Sequence, residues 1–287
     1  MKIKIAILLT ATVLLLCYCK KDDEKTSYIV DDVILSNAQA AVYFHVIFRE
    51  AENAWAIIDE KGYLSEPVVF ESGTTGKKII SFEESGELLL TIEYHTWTAG
   101  KVQLMGTMTV ILPHKFYPAR ENKPASIQLS DFSINGQRVI GFASFTYIPG
   151  VEGSNDIYNY KLADAAVYDK ESPNLKLITA DIKNGRYERI EDGDTPINQS
   201  DDIWKFTATT TGMLYDDPKM KYTNTILQNN KYILGGDEVS GDVNFSVDCV
   251  TAAKGLAEIK IPGWSSDLML YAYACSDLIY HVQTDVH

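Results

Sequence analysis

Residues 127–148 read IQLSDFSINGQRVIGFASFTYI. On either side of Asn135-Gly136, apolar and polar residues alternate. A period of two is the mark of a strand with one face on a core. An Asn-Gly pair between two such runs is a strong signal for a two-residue type I′ turn. The stretch therefore predicts two antiparallel strands, Ile127–Ile134 and Gln137–Ile148, joined directly. The pattern recurs outward from it. Leu88–Trp97 and Lys101–Leu112 flank Ala99-Gly100, and Leu175–Ile182 and Arg186–Ile190 flank Asn184-Gly185. Tyr158–Tyr168, Ile203–Thr210, Lys221–Leu227, Val239–Val250, Leu256–Ile261, Leu268–Cys275 and Asp277–Gln283 read as further strands. Paired runs joined by tight turns imply an antiparallel meander rather than βαβ units.

A weak repeat runs through these strands. Leu104, Gly106, Met108, Val110 and Leu112 fall on one strand face, as do Val139, Gly141, Ala143, Phe145 and Tyr147. Val239, Gly241, Val243, Phe245 and Val247 follow the same order. An apolar stripe with polar residues between its members is a sheet buried on one side and wet on the other. Glycine inside the stripe marks a bulge, a bend or the close approach of another element. The element expected to approach is a helix. Ser36–Lys61 places Ala41, Phe44, Ile47/Phe48, Ala51, Trp55 and Ile58 three and four apart, which is helical spacing. Ser36 and Gln39 have the form of a capping box, and Gly62 stands where a left-handed C-terminal cap would go. Glu50, Glu52, Asp59 and Glu60 are expected on its polar face. Tyr28–Leu35 reads as a short strand ahead of it. The fold class expected is mainly β: a large antiparallel curved sheet or β-sandwich with one long N-terminal helix, about 36–61, packed on it.

The first residues carry a different message. Lys2 and Lys4 precede an apolar run, Ile5–Leu16, interrupted only by threonines. That run is too short to span a membrane and has the length of a signal-peptide core. Cys17 and Cys19 follow, then Lys20-Lys21-Asp22-Asp23-Glu24. This resembles the signal of a bacterial lipoprotein. The charged run after the cysteine resembles the surface-export signal of lipoproteins in the Bacteroides group. The resemblance implies lipidation of Cys19, with Cys17 as the alternative. It also implies an outer-membrane protein facing the cell exterior and held in the membrane by its acyl chains. The organisation expected is a signal peptide at 1–18, an anchor and stalk at 19–35, and a single β-rich domain at 36–287.

The chain has 287 residues and a net charge of −13. That balance argues against nucleic acid, which requires a basic footprint. Cys249 and Cys275 are the other two cysteines. In an oxidising compartment they could pair, or each could pack as a small buried hydrophobe. No G-x-S-x-G elbow, H-E-x-x-H, paired C-x-x-C or phosphate-binding loop occurs in the sequence. No catalytic residue, metal or other cofactor is therefore assigned. The acidic clusters at residues 191–194, 201–202 and 216–217 read as solvated loops. Seventeen tyrosines and four tryptophans remain. Tyr158, Tyr160, Trp204 and Trp264 are the candidates for a ligand-binding platform of exposed rings. The function expected is noncatalytic: binding a glycan or peptide outside the cell, or assisting a membrane-bound assembly. The alternatives are an anchored hydrolase and a carrier holding an acyl chain in a half-open sheet.

Overall fold

The computed structural model describes residues 33–58, 66–84, 87–99, 102–112, 122–151, 154–191, 203–226, 231–234, 237–240, 243–245, 254–261 and 269–274. One helix, α1, occupies residues 33–58. A meander of eight strands follows: β1 (Val68–Ser72), β2 (Gly76–Glu84), β3 (Leu88–Ala99), β4 (Val102–Leu112), β5 (Pro124–Ile134), β6 (Gln137–Ile148), β7 (Ile157–Tyr168) and β8 (Lys176–Glu191). Each pairs antiparallel with the next. The Asn135-Gly136 turn forms as expected, with φ of 52° and 79°. Asn135 is also tied to β4, because its side chain accepts from the Gln103 backbone N–H at 2.9 Å.

Beyond β8 the sheet is built from broken rows. β9 (Ile203–Thr207) and β10 (Thr209–Leu214) pair with the two halves of β8 and form one row interrupted at Ala208. β11 (Lys221–Ile226) lies against β10, and β14 (Val243–Phe245) lies against β9. β15 (Lys254–Lys260) pairs with both of them, and β16 (Met269–Ala274) pairs with β15. β11 and β14 are thus two segments of a single row. The hairpin of β12 (Lys231–Leu234) and β13 (Asp237–Ser240) is an excursion between them. The result is one 14-stranded antiparallel sheet with a separate two-stranded one.

The long sheet curves because its strands carry bulges side by side. Register shifts fall between Tyr94 and Trp97, Met105 and Thr107, Gln128 and Ser133, Ile140 and Phe142, and Leu162 and Ala165. Bulges bend a strand and increase its local twist, so a row of them creases the sheet. The stripe glycines mark this crease. A Cβ on Gly106 (φ +98°) would sit 2.2 Å from the Asp131 carbonyl oxygen, and one on Gly141 (φ +141°) 2.8 Å from Ala165 Cα. The close approach comes from the neighbouring strand, not from the helix.

The curved sheet wraps α1. Phe48 and Glu50 are two residues apart, so they point about 160° apart around the helix. Phe48 packs against β6, β7, β8 and β9 through Phe145, Tyr158, Tyr187 and Trp204. Glu50 meets β2 and β3 through Lys78 and Tyr94. Every residue from 42 to 58 is buried. Within that stretch Val42, Arg49, Glu50, Asn53 and Ala56 keep the most surface, 5–9 % each.

Several sequence expectations change. Residues 33–35 are helical and Val33 and Ile34 are core residues, so no strand or stalk reaches Leu35. Ser36 lies inside the helix rather than at its cap. Gln39 donates instead to Tyr43 Oη and to Gln137 Oε1, each at 2.9 Å. Glu50 and Glu52 are buried, because the sheet offers them partners. Asn184-Gly185 makes no turn: β8 continues through it, with Gly185 opposite Tyr160 and a register shift between Tyr160 and Leu162. Pairing along both halves with β7 favours a continuous strand there. Val239–Val250 is not one strand, since β13 folds back on β12 while β14 joins β9. Gly62, Asp59, Glu60 and Asp277–Gln283 lie outside the described residues.

Candidate functional site

Tyr158, Tyr160 and Trp204 come together, but inside the molecule. All three project from the concave face and pack around Phe48, with Tyr158 and Trp204 ring centroids 5.4 Å apart. Each is 1 % exposed or less. Alternation along β7 and β9 turns these rings to the core face, so they are not an exposed platform. Tyr187 stacks on Phe48 at 4.1 Å with the rings nearly parallel, and Phe206 stacks on Tyr187 at 4.3 Å. This aromatic cluster fixes one side of the helix. Trp264, Cys17, Cys19, Cys249 and Cys275 lie outside the described residues.

The other side of the helix is fixed by charge. Lys78 Nζ lies 3.2 Å from Glu50 Oε2, and Tyr94 Oη donates to the same oxygen at 3.2 Å. Arg49 Nη2 stands 3.6 Å from Glu50 Oε1. Lys78 also sits over the rings of Phe70 and Trp97, at 5.1 and 5.0 Å from their centroids. Burial alone would raise the Glu50 carboxyl pKa. The charges of Lys78 and Arg49 and the hydrogen bonds from Lys78 and Tyr94 outweigh it and hold the carboxyl below its usual value. Burial, then the adjacent Glu50 charge, raises the Tyr94 hydroxyl. Near the aromatic cluster His45 is fully buried. Burial first, and then the Arg49 charge, holds it well below its usual value and so neutral. Glu52 accepts from Tyr158 Oη at 2.9 Å. These groups secure the helix against the sheet.

The convex face presents a different arrangement. Phe142 is 59 % exposed and Ile140 36 %. They flank Gly141 beside the β6–β7 register shift, and the alternation of β6 turns both outward. Phe142 lies between Gln128 of β5 and Ala163 of β7, and Ile140 pairs with Ala166. Met105, on β4, is a third exposed apolar side chain on this side. The surround is polar. Arg138 stacks on the Tyr168 ring at 3.8 Å. Asp131, Lys161 and Asp164 are exposed, and the Asp164 backbone N–H donates to Asp181 Oδ1 at 2.9 Å. The sequence held one sign of this patch. Ile140 and Phe142 are large apolar residues at positions that the alternation of β6 assigns to the wet face.

Among the described residues, no group of three or more His, Cys, Asp or Glu side chains is placed to hold a metal ion. No helix among them is long and apolar enough to cross a membrane. Comparison of the chain with protein families, with curated proteins and with solved structures returns no match.

Proposed function

We propose that this protein is a noncatalytic lipoprotein of the bacterial cell envelope, tethered through Cys19, that binds a protein or peptide partner on the convex face of its sheet. The observation that carries the binding reading is the pair Ile140 and Phe142, turned outward on either side of Gly141. A large aromatic ring at 59 % exposure, with a second apolar side chain beside it and a polar surround, has the anatomy of an interface anchor. A protein partner suits this site better than a glycan. Sugar stacking calls for exposed tyrosine or tryptophan faces, and Tyr158, Tyr160 and Trp204 are turned inward. The tether rests on the reading of Leu14–Glu24. The acyl-carrier reading would require α1 to leave the concave face it fills.

The test is site-specific photocrosslinking in the producing bacterium. A benzophenone side chain at position 142 should give a discrete adduct. The same group at Asn159, exposed on β7, should not. Ile140→Arg should abolish the adduct without lowering the amount of folded protein. Position 142 giving only the adducts seen at Asn159, or an adduct indifferent to Ile140→Arg, would remove the convex face as the binding site.

A further inference from the structure

Two tyrosine hydroxyls in the interior lack any hydrogen-bond partner among the described residues. Tyr160 Oη and Tyr187 Oη are both fully buried and both unpartnered there. They come from adjacent strands, β7 and β8, with ring centroids 5.4 Å apart in an edge-to-face contact. Both rings pack on Phe48. The two hydroxyls also sense each other, since a charge on Tyr160 would raise the Tyr187 hydroxyl. His45 tilts against the Tyr187 ring at 5.5 Å.

Buried hydroxyls in native proteins are almost always satisfied, by protein groups or by ordered water. Leaving one unmet costs as much as removing a partner from a made bond. A buried water needs two to four polar groups around it. Tyr160 and Tyr187 supply two hydroxyls, each able to donate and accept. A phenylalanine at either position would fill nearly the same volume without a polar atom, yet both positions carry tyrosine. We propose that Tyr160 and Tyr187 together hold an internal water between β7, β8 and helix α1. This water would join the two strands by hydrogen bonds at the point where Phe48 enters the concave face.

The experiment combines a crystal structure at about 1.8 Å resolution with a double-mutant cycle, using the full chain purified in detergent. The structure should show a solvent peak within about 2.7–3.2 Å of both hydroxyls. Tyr160→Phe and Tyr187→Phe should each raise the unfolding equilibrium constant about tenfold, as expected when a buried partner is left unmet. The double variant should raise it by clearly less than the product of the two, because the second substitution removes a group whose water is already lost. The absence of a peak there would overturn the proposal. So would single variants as stable as the parent, or effects that simply multiply.

Discussion

Lys78 Nζ stands 3.2 Å from Glu50 Oε2, with both side chains 7 % exposed and the Phe70 and Trp97 rings on the lysine's other sides. One end of the long sheet is therefore joined to the helix by a buried ion pair. Strands β6 to β9 are joined to it by packed rings. The two attachments fail in different ways, and this makes them separable by experiment.

Removing one partner of the ion pair leaves a buried charge without compensation. Glu50→Ala should cost about 3–5 kcal/mol, because Lys78 and Arg49 would then face each other unneutralised. Replacing the pair together, as Glu50→Leu with Lys78→Met, should cost much less than the sum of the single changes. Urea unfolding of the four proteins of the cycle checks this. Equal and additive losses would mean that the pair is not coupled.

Acid should weaken the fold in two windows. The buried His45 ring has a folded-state pKa far below its unfolded value of about 6.5. Below pH 6.5 the unfolded chain binds a proton that the folded chain refuses. Stability should therefore fall by about 1.4 kcal/mol per pH unit as the pH drops from there toward the folded value. Glu50 also has a depressed folded pKa. Its contribution is fully present above the unfolded value of about 4.3 and is lost as the pH falls through the folded value. His45→Leu should flatten the stability profile between pH 5 and 6.5, and Glu50→Gln should flatten it only below about pH 4.5. Urea midpoints across pH 3–8 measure both.

The crease depends on glycines whose missing Cβ leaves room for the next strand. Gly106→Ala and Gly141→Ala should each cost more than the ~1–3 kcal/mol of a strained backbone conformation alone, since each adds a clash. Gly73 is the control: it has φ +63° but nothing within 4 Å of an added Cβ. Gly73→Ala should cost about 1 kcal/mol. Thermal unfolding of the three variants ranks them, and a similar loss in all three would mean that the crease tolerates a methyl group.

Phe48→Ala removes the ring on which Tyr158, Tyr160, Tyr187 and Trp204 converge. It should cost about 3–5 kcal/mol. Phe142→Ala, on the convex face, should lie within about 0.5 kcal/mol of the parent. Denaturant unfolding of the two variants tests whether the aromatic cluster is the inner attachment and the convex patch is free of structural duty.

The antiparallel sheet and its helix were legible because their periods are local. Gln137–Ile148 was bounded correctly from its own alternation and from Asn135-Gly136. β1 and β2 went unseen, because VVFES and GKKIISFEE become strands only by pairing with each other and with β3. Asn184-Gly185 misled for the same reason: a turn signal yields when a long neighbour, β7, pairs along both sides of it. The burial of Glu50 and Glu52 could not be read from the helix, since their partners Lys78, Tyr94 and Tyr158 lie far along the chain. Tyr158, Tyr160 and Trp204 do share a face, but it is the core face and not the wet one. Period two says which residues share a face. It does not say which face meets water when a helix is buried against one of them.

The helix precedes in sequence every strand that encloses it. A chain made from its N-terminus produces Phe48 early and Trp204 late, and the seat between them is complete only when β9 has been added. Until then α1 is an amphipathic segment with charged residues on one side and a bare aromatic side on the other. Contacts this distant in sequence are slow to form, and such exposed surface invites misassembly at the concentrations found in cells. Folding should thus be limited by the arrival of the chain's second half, and truncations ending before β9 should be caught by chaperones or proteases rather than accumulate.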